Sequence, residues 1–171
     1  MEFYVDVQTL HDTNMTVIKD EKNQPVYILT GRRGIANDGF FLHTISGNEL
    51  GEIRQRTVSV NPRFDLLIGG EKVASIKKMF GVWREFIFVS ELNWMVIGNM
   101  LANQYHIYHG MKTVTTIASV GTASETILKL DIANPRDVVP GLLVAALLDR
   151  WRQANLANPL VRHDVGISYG L

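Results

Sequence analysis

The stretch that decides the fold is DVVPGLLVAALL, residues 137–148. The eleven residues that follow Asp137 in this stretch carry no charged or amide side chain. Asp137 suits the N-cap position, and Pro140 then lies in the first helical turn, where its missing N–H removes no intrahelical hydrogen bond. The pattern predicts one helix over about residues 137–152.

This predicted helix has no polar face, so it cannot lie on a surface in the way that an amphipathic helix does. Eleven residues rise only about 16 Å, whereas a helix must cross about 30 Å of hydrocarbon to span a bilayer. We therefore predict no transmembrane segment, and we expect the rest of the chain to surround the helix.

The preceding residues are divided into short segments rich in Val, Ile, Thr and aromatic residues, separated by clusters of Gly, Asn, Asp and Pro. About twelve strands are predicted, over residues 3–8, 15–19, 26–30, 39–45, 50–56, 63–68, 72–77, 84–89, 94–98, 104–109, 112–119 and 126–132. Gly47 and the pair Gly69-Gly70 mark tight hairpin turns, because such turns need positive φ angles. No segment before residue 132 shows a sustained helical period, which argues against a parallel sheet with crossover helices.

The strands and the helix together predict the architecture. A barrel of eight strands has room only for side chains, so one of about twelve can hold a helix about 10 Å across. We therefore predict a mainly β fold, a closed antiparallel barrel of about twelve strands that encloses one central hydrophobic C-terminal α-helix. A single domain is expected over residues 1–171, with an extra C-terminal tail at 155–171.

Several short motifs occur in an order and spacing that resemble one protein family. They are DGFFL at 38–42, SGNELGEIR at 46–54, GG at 69–70, VASIKK at 73–78, WMVIG at 94–98 and YHIY at 105–108. The chain resembles the LURP-one-related family, within the superfamily of tubby C-terminal-like domains that includes the phospholipid scramblases. The resemblance implies a twelve-stranded closed barrel around a central helix. It implies much less about function: tubby-like members recognise phosphoinositides and scramblases act on membranes, but no phosphoinositide-binding motif aligns with this chain.

The composition excludes several functions. Seventeen basic and seventeen acidic residues give a net charge of zero, so no global field favours nucleic acid, and none is expected as a partner. The absence of cysteine excludes disulfides, thiolate metal sites and thiol nucleophiles. The acidic residues near the N-terminus do not fit a signal peptide, so we expect a cytoplasmic protein.

No motif predicts catalysis, a metal site or a cofactor. His106 and His109 lie three apart on a predicted strand, which places them on opposite faces and prevents joint chelation. Residues 166–170 match the G-x-S-x-G pattern of a serine nucleophile, but only Leu171 follows them, so no helix or downstream Asp and His could complete the site. The basic turn at 31–34 could bind an anion, but a solvated turn is the commoner outcome. We expect no enzyme.

The hairpin connection KKMFGVWR, residues 77–84, is the predicted site. Its apolar tip carries Phe80 and Trp83, and Lys77, Lys78 and Arg84 flank the tip. At a membrane the aromatic side chains would enter the interface while the three cations face anionic headgroups. In the alternative arrangement Phe80 and Trp83 fold back and close the end of the barrel over the helix.

The hypothesis that follows is a non-catalytic binding module. Its expected partner is either an anionic phospholipid or a protein, and with a lipid it would attach peripherally to a membrane. The alternative function is that of a small-molecule carrier or an enzyme with a site at one barrel end.

Overall fold

A computed structural model describes residues 1–34, 38–57, 62–80, 85–100, 102–121 and 126–157. The strands are β1 (Glu2–Asp6), β2 (Met15–Asp20), β3 (Pro25–Arg32), β4 (Gly39–Thr44), β5 (Glu49–Gln55), β6 (Arg63–Ile68), β7 (Glu71–Phe80), β8 (Glu85–Val89), β9 (Trp94–Asn99), β10 (Gln104–His109), β11 (Lys112–Val120) and β12 (Ile127–Ile132). The helices are α1 (Val7–Thr13) and α2 (Val138–Ala157), and a 3-10 turn (Pro135–Asp137) leads into α2.

The strands form a closed barrel in which each strand pairs antiparallel with its neighbours in sequence. The barrel closes between β1 and β12, where Phe3 lies opposite Leu130 and Val5 lies opposite Leu128. Several of the hairpin turns contain a glycine with a positive φ angle, among them Gly47 at 90° and Gly69 at 58°. The predicted closed antiparallel barrel is therefore confirmed.

The interior is filled by α2 and by the inward-facing residues of the strands. From Leu142 to Leu148 every residue of α2 is buried. On the wall, burial alternates along the strands, so Tyr105 and Ile107 of β10 face inwards. A helix that is apolar on all sides can be stable only in such surroundings, and the prediction of a central hydrophobic helix is confirmed.

The helix differs in length from the prediction. Pro140 is its third residue, as expected, but α2 continues to Ala157 rather than ending near residue 152. The predicted tail at 155–171 therefore begins inside the helix, and residues 158–171 lie outside the described part of the chain. Among the described residues, no helix has the length and apolar character needed to cross a membrane.

The helix α1 was not predicted, and the first strand is shorter than expected. The strand prediction over residues 3–8 is wrong after Asp6, because Asp6 caps a helix. Its carboxylate accepts hydrogen bonds from the N–H of Thr9 at 2.9 Å and from Oγ1 of Thr9 at 2.7 Å. Val7 and Leu10 of α1 are buried, so this short helix packs onto the barrel.

The two ends of the barrel differ. The end at which α2 begins is called the entry end, and the end towards which α2 runs is called the exit end. The entry end holds the turn at Pro135–Asp137 and the hairpin at Gly69-Gly70. The exit end holds α1, the last residue of β3 (Arg32) and the first residue of β4 (Gly39). In an antiparallel meander the ends of odd-numbered strands share one end of the barrel, so the last residue of β7 and the first residue of β8 also lie at the exit end.

Candidate binding surfaces

The predicted site at residues 77–84 is only partly described. Lys77 is exposed and Lys78 is half-buried, and consecutive residues of a strand point to opposite faces. The two lysines therefore lie on opposite faces of β7. Phe80 ends β7, but its side chain lies outside the described part, as do Trp83 and Arg84 altogether.

Lys77 instead belongs to a group of cations on the outer faces of three neighbouring strands. This group, the basic wall, consists of Arg54 near the end of β5, Arg56 directly after β5, Arg63 at the start of β6, and Lys77 in β7. All four side chains are exposed. Arg54 lies opposite Asp65, and Arg63 lies opposite Lys77, so the four residues are close together at the exit end.

Two carboxylates neutralise part of the basic wall. Arg54 pairs with Glu52 at 3.2 Å, and Arg56 pairs with Asp65 at 2.9 Å. Asp65 is buried and also accepts from Lys72 at 3.0 Å. Burial would raise the pKa of Asp65, but the hydrogen bonds and charges of Arg56 and Lys72 outweigh it and lower that pKa. Asp65 is therefore ionised, and its carboxylate is already paired with Arg56 and Lys72.

The positive charges of Arg63 and Lys77 are not neutralised by any of the described residues. They are direct cross-strand partners in β6 and β7, and neither has an ion-pair partner among the described residues. Like charges placed directly opposite each other on a sheet destabilise it. An external anion at this position would relieve the repulsion.

Sequence reasoning missed Arg54, Arg56 and Arg63. A signal for the first two was present, because residues two apart on a strand share a face. The approach of Arg63 to Lys77 depends on the register of β6 against β7, which the sequence alone did not give.

A second feature of the exit end is a cavity of about 330 Å³ between α1, the β3–β4 connection and α2. One side of this exit cavity is apolar and is formed by Val7, Leu10, Phe40 and Ala146. Of the predicted basic turn at 31–34, Gly31 and Arg32 belong to β3, and Arg33 and Gly34 line the cavity. The turn is thus next to a cavity rather than surrounded by solvent alone.

Arg150 forms part of the polar side of the exit cavity. Its guanidinium lies over the ring of Phe40, 3.9 Å from the ring centroid. It pairs through Nη1 with Asp38 and donates to the carbonyl oxygen of Arg32 at 2.8 Å. Burial lowers the pKa of Arg150, and the charge of Asp38 opposes this effect. At neutral pH the guanidinium remains charged.

Asp149, the preceding residue of α2, is the most deeply buried charged group of the exit cavity, at 4% exposed. Its Oδ1 accepts from Nδ2 of Asn103 at 3.3 Å and from Nη2 of Arg152 at 3.2 Å. Burial raises the pKa of Asp149, while Arg152, Asn103 and His11 partly counteract this rise.

The structure assigns no metal site to the described residues, since no group of three or more His, Asp or Glu side chains is placed to hold an ion. His106 and His109 are both exposed on β10. The G-x-S-x-G match at 166–170 lies outside the described residues.

The fold defines a class of protein, an antiparallel β-barrel filled by its own C-terminal helix. Within this class, the model of the LURP-one-related family matches residues 1–149, and the chain belongs to that family. The resemblance inferred from the motifs is confirmed.

Two further similarities to known proteins were found. The chain is 25% identical over 132 residues to Uncharacterized protein YxjI of Bacillus subtilis (strain 168), which covers 77% of this chain and 82% of that protein. It is similar to the X-ray structure of a protein from Arabidopsis thaliana, with a TM-score of 0.60 and 15% identity over 88% of this chain and 90% of the other. The second likeness supports the fold alone.

Proposed function

We propose that this protein is a non-catalytic binding module that attaches to anionic phospholipid surfaces through the basic wall. The observation that carries the proposal is the exposed pair Arg63 and Lys77, two cations opposite each other without an acidic partner among the described residues. The chain has as many acidic as basic residues. The positive charge at this position is therefore a local arrangement and does not follow from composition.

The architecture supports a surface function. Because α2 fills the interior between the strands, a ligand has no access to the space that other barrels use for binding. Partners must then contact the outer wall or the ends. The end of β7 and the start of β8 lie at the same end as the basic wall. Phe80, Trp83 and Arg84 of the predicted site would extend the lipid contact there.

The expected attachment is weak and reversible. Each basic residue near an anionic surface contributes about 1 kcal/mol, so removing the charges of Arg63 and Lys77 should weaken binding by about 2 kcal/mol, or about 30-fold. The effect should shrink with added salt, because screening shortens the range of the interaction to about 10 Å at 0.1 M.

Co-sedimentation with vesicles tests the proposal. Vesicles of phosphatidylcholine alone are compared with vesicles that also contain phosphatidylserine, using the wild type and the double variant Arg63→Gln/Lys77→Gln. The matched control is Lys112→Gln/Arg136→Gln, which removes two exposed cations at the entry end. We expect the wild type and the control to sediment with anionic vesicles only, and the wall variant to remain in the supernatant.

Two results would count against the proposal. One is that no variant sediments with either kind of vesicle. The other is that the control variant loses binding as much as the wall variant, which would mean that net charge alone is responsible.

A separate measurement addresses the tip of the connection. If Trp83 enters the interface, anionic vesicles should shift the tryptophan emission of the wild type to shorter wavelength, and Trp83→Phe should abolish the shift. A shift that persists in Trp83→Phe would place the lipid contact elsewhere.

A further inference from the structure

The exit cavity is lined by side chains of opposite charge, some of whose hydrogen-bonding atoms no described residue engages. Asp149 and Arg150 are neighbours on α2, and both line this space. Polar atoms of these two side chains that no described residue engages are open to a ligand in this space. None of the residues that line the exit cavity belongs to the basic wall.

Asp149 offers an acceptor. All of the hydrogen bonds described for it end on Oδ1, from Asn103 and from Nε and Nη2 of Arg152. Oδ2 receives no hydrogen bond from the described residues, although only 4% of the residue is exposed. Because burial raises the pKa of Asp149, any ligand that donates to Oδ2 stabilises the ionised form.

Arg150 and Arg33 offer donors. The acceptors described for Arg150 are Asp38 and the carbonyl oxygens of Arg32 and Gly39, and all of them lie on Nη1. Nε and Nη2 thus have no described acceptor, in a side chain that is only 15% exposed. Arg33 uses one N–H of its Nη2 for the carbonyl oxygen of His11 at 3.1 Å. A carboxylate matches such paired guanidinium donors.

The remaining surface of the cavity selects an apolar group. Val7 and Leu10 of α1, Phe40 of β4 and Ala146 of α2 form one side. The volume of about 330 Å³ is at the lower end of the range for ligand sites. At about 30 Å³ for each non-hydrogen atom, such a space holds roughly ten of them.

We propose that the exit cavity binds a small apolar acid that carries a hydrogen-bond donor beside its carboxylate, the class to which apolar α-amino acids and 2-hydroxy acids belong. The carboxylate pairs with Arg150 and Arg33, the amino or hydroxyl group donates to Oδ2 of Asp149, and the branched or aromatic group packs against Leu10 and Phe40. The alternative function inferred from the sequence was a small-molecule site at one barrel end. The proposal specifies the chemistry of that small molecule.

The test uses four probes of one carbon skeleton in an NMR titration of the full chain. L-Leucine and 2-hydroxy-4-methylpentanoate have both groups, 4-methylpentanoate lacks the donor, and 3-methylbutylamine lacks the carboxylate. We expect the first two to shift the amide signals of residues around the exit cavity at millimolar concentrations. The other two should bind about tenfold more weakly or not at all, because a lost hydrogen bond to a charged group costs at least that factor.

Variants identify the groups. Asp149→Asn keeps an acceptor oxygen but loses the charge, so it should weaken L-leucine more than the hydroxy acid. Arg33→Gln removes an exposed cation without disturbing the core, and it should weaken every probe with a carboxylate while leaving the melting temperature unchanged. If Asp149→Asn does not fold, Arg33→Gln remains as the deciding variant. Lys112→Gln at the entry end is the control.

The proposal would be overturned by any of three results. They are the absence of shifts around the cavity with all four probes, equal affinity for 4-methylpentanoate and L-leucine, and unchanged binding in Arg33→Gln. None of these results bears on vesicle attachment, so failure here and failure of the lipid proposal are distinguishable.

Discussion

Leu143 in the middle of α2 is the position at which the enclosed helix can be tested most directly. Its side chain has no exposed surface. It faces β5 at Gly51, where an added Cβ would lie 3.4 Å from Cδ1 of Leu143 and only 2.7 Å from the carbonyl oxygen of Leu67. The change considered is Leu143→Ala.

The expected loss is at the upper part of the range for such changes. Replacing a buried leucine by alanine costs about 2–5 kcal/mol, and the cost rises with the volume of cavity that remains. A closed ring of strands cannot move inwards to fill the space, and Gly51 has no side chain that could turn into it. We therefore expect about 3–5 kcal/mol, which lowers the melting temperature by about 6–20 °C in a chain of this size.

Urea unfolding followed by far-UV circular dichroism and by tryptophan fluorescence, to which the buried Trp94 contributes, measures the change. The control is Met111→Ala, since Met111 is fully exposed and should alter stability by no more than about 0.5 kcal/mol. A loss below about 1 kcal/mol in Leu143→Ala, with an unchanged denaturant slope, would refute the argument that the wall is rigid and closed.

Leu143→Asp extends the test, because it places a charge without a partner in the centre of the barrel. We expect this variant not to fold. A soluble Leu143→Asp protein that melts cooperatively would contradict the enclosed position of the helix.

Three further outcomes follow from single carboxylates. Asp65→Asn should destabilise the fold at neutral pH by an amount that fades as the pH falls through the lowered folded-state pKa of Asp65, and urea unfolding at neutral and acid pH would show whether the difference is instead constant. For Asp149 the pH dependence of stability has the opposite sign. Because its pKa is raised in the folded state, its contribution to stability is present at acid pH and is lost as the pH rises through that pKa. The stability of Asp149→Asn relative to wild type should therefore increase towards neutral pH in thermal melts, and a decrease would be inconsistent with a raised pKa. Asp6→Ala removes the cap of α1 and should cost about 0.5–2 kcal/mol, whereas Asp6→Ser should retain most of the stability; hydrogen exchange at the amides of α1 would reveal equal protection in both if the cap were unimportant.

The sequence predicted the barrel because its signals are local. Glycine at the turns and alternating burial along the strands each act over a few residues, and an apolar stretch without a polar face admits only an enclosed helix. The helix α1 was not predicted, and the reason is again that the signals are local. Phe3, Val5 and Val7 continue the alternation of β1, and seven helical residues are too few to show a period of their own.

The candidate sites were less predictable, because they depend on residues brought together from distant parts of the chain. Arg63 and Lys77 approach each other through strand register, and the exit cavity joins Val7 of α1 to Ala146 of α2. Lys77 and Lys78 show the converse. They are adjacent in sequence, but strand geometry directs them to opposite faces.

The order of the elements along the chain has a consequence for biosynthesis. The segment that fills the lumen follows all twelve strands, and the ring closes only when β12 meets β1. At about 5–20 residues per second, a ribosome needs roughly 8–30 s to travel from the first strand to the end of α2. Throughout that interval the inward-facing side chains of the nascent strands lack the helix that covers them in the finished barrel, so apolar surface stays exposed until the last helix has been synthesised.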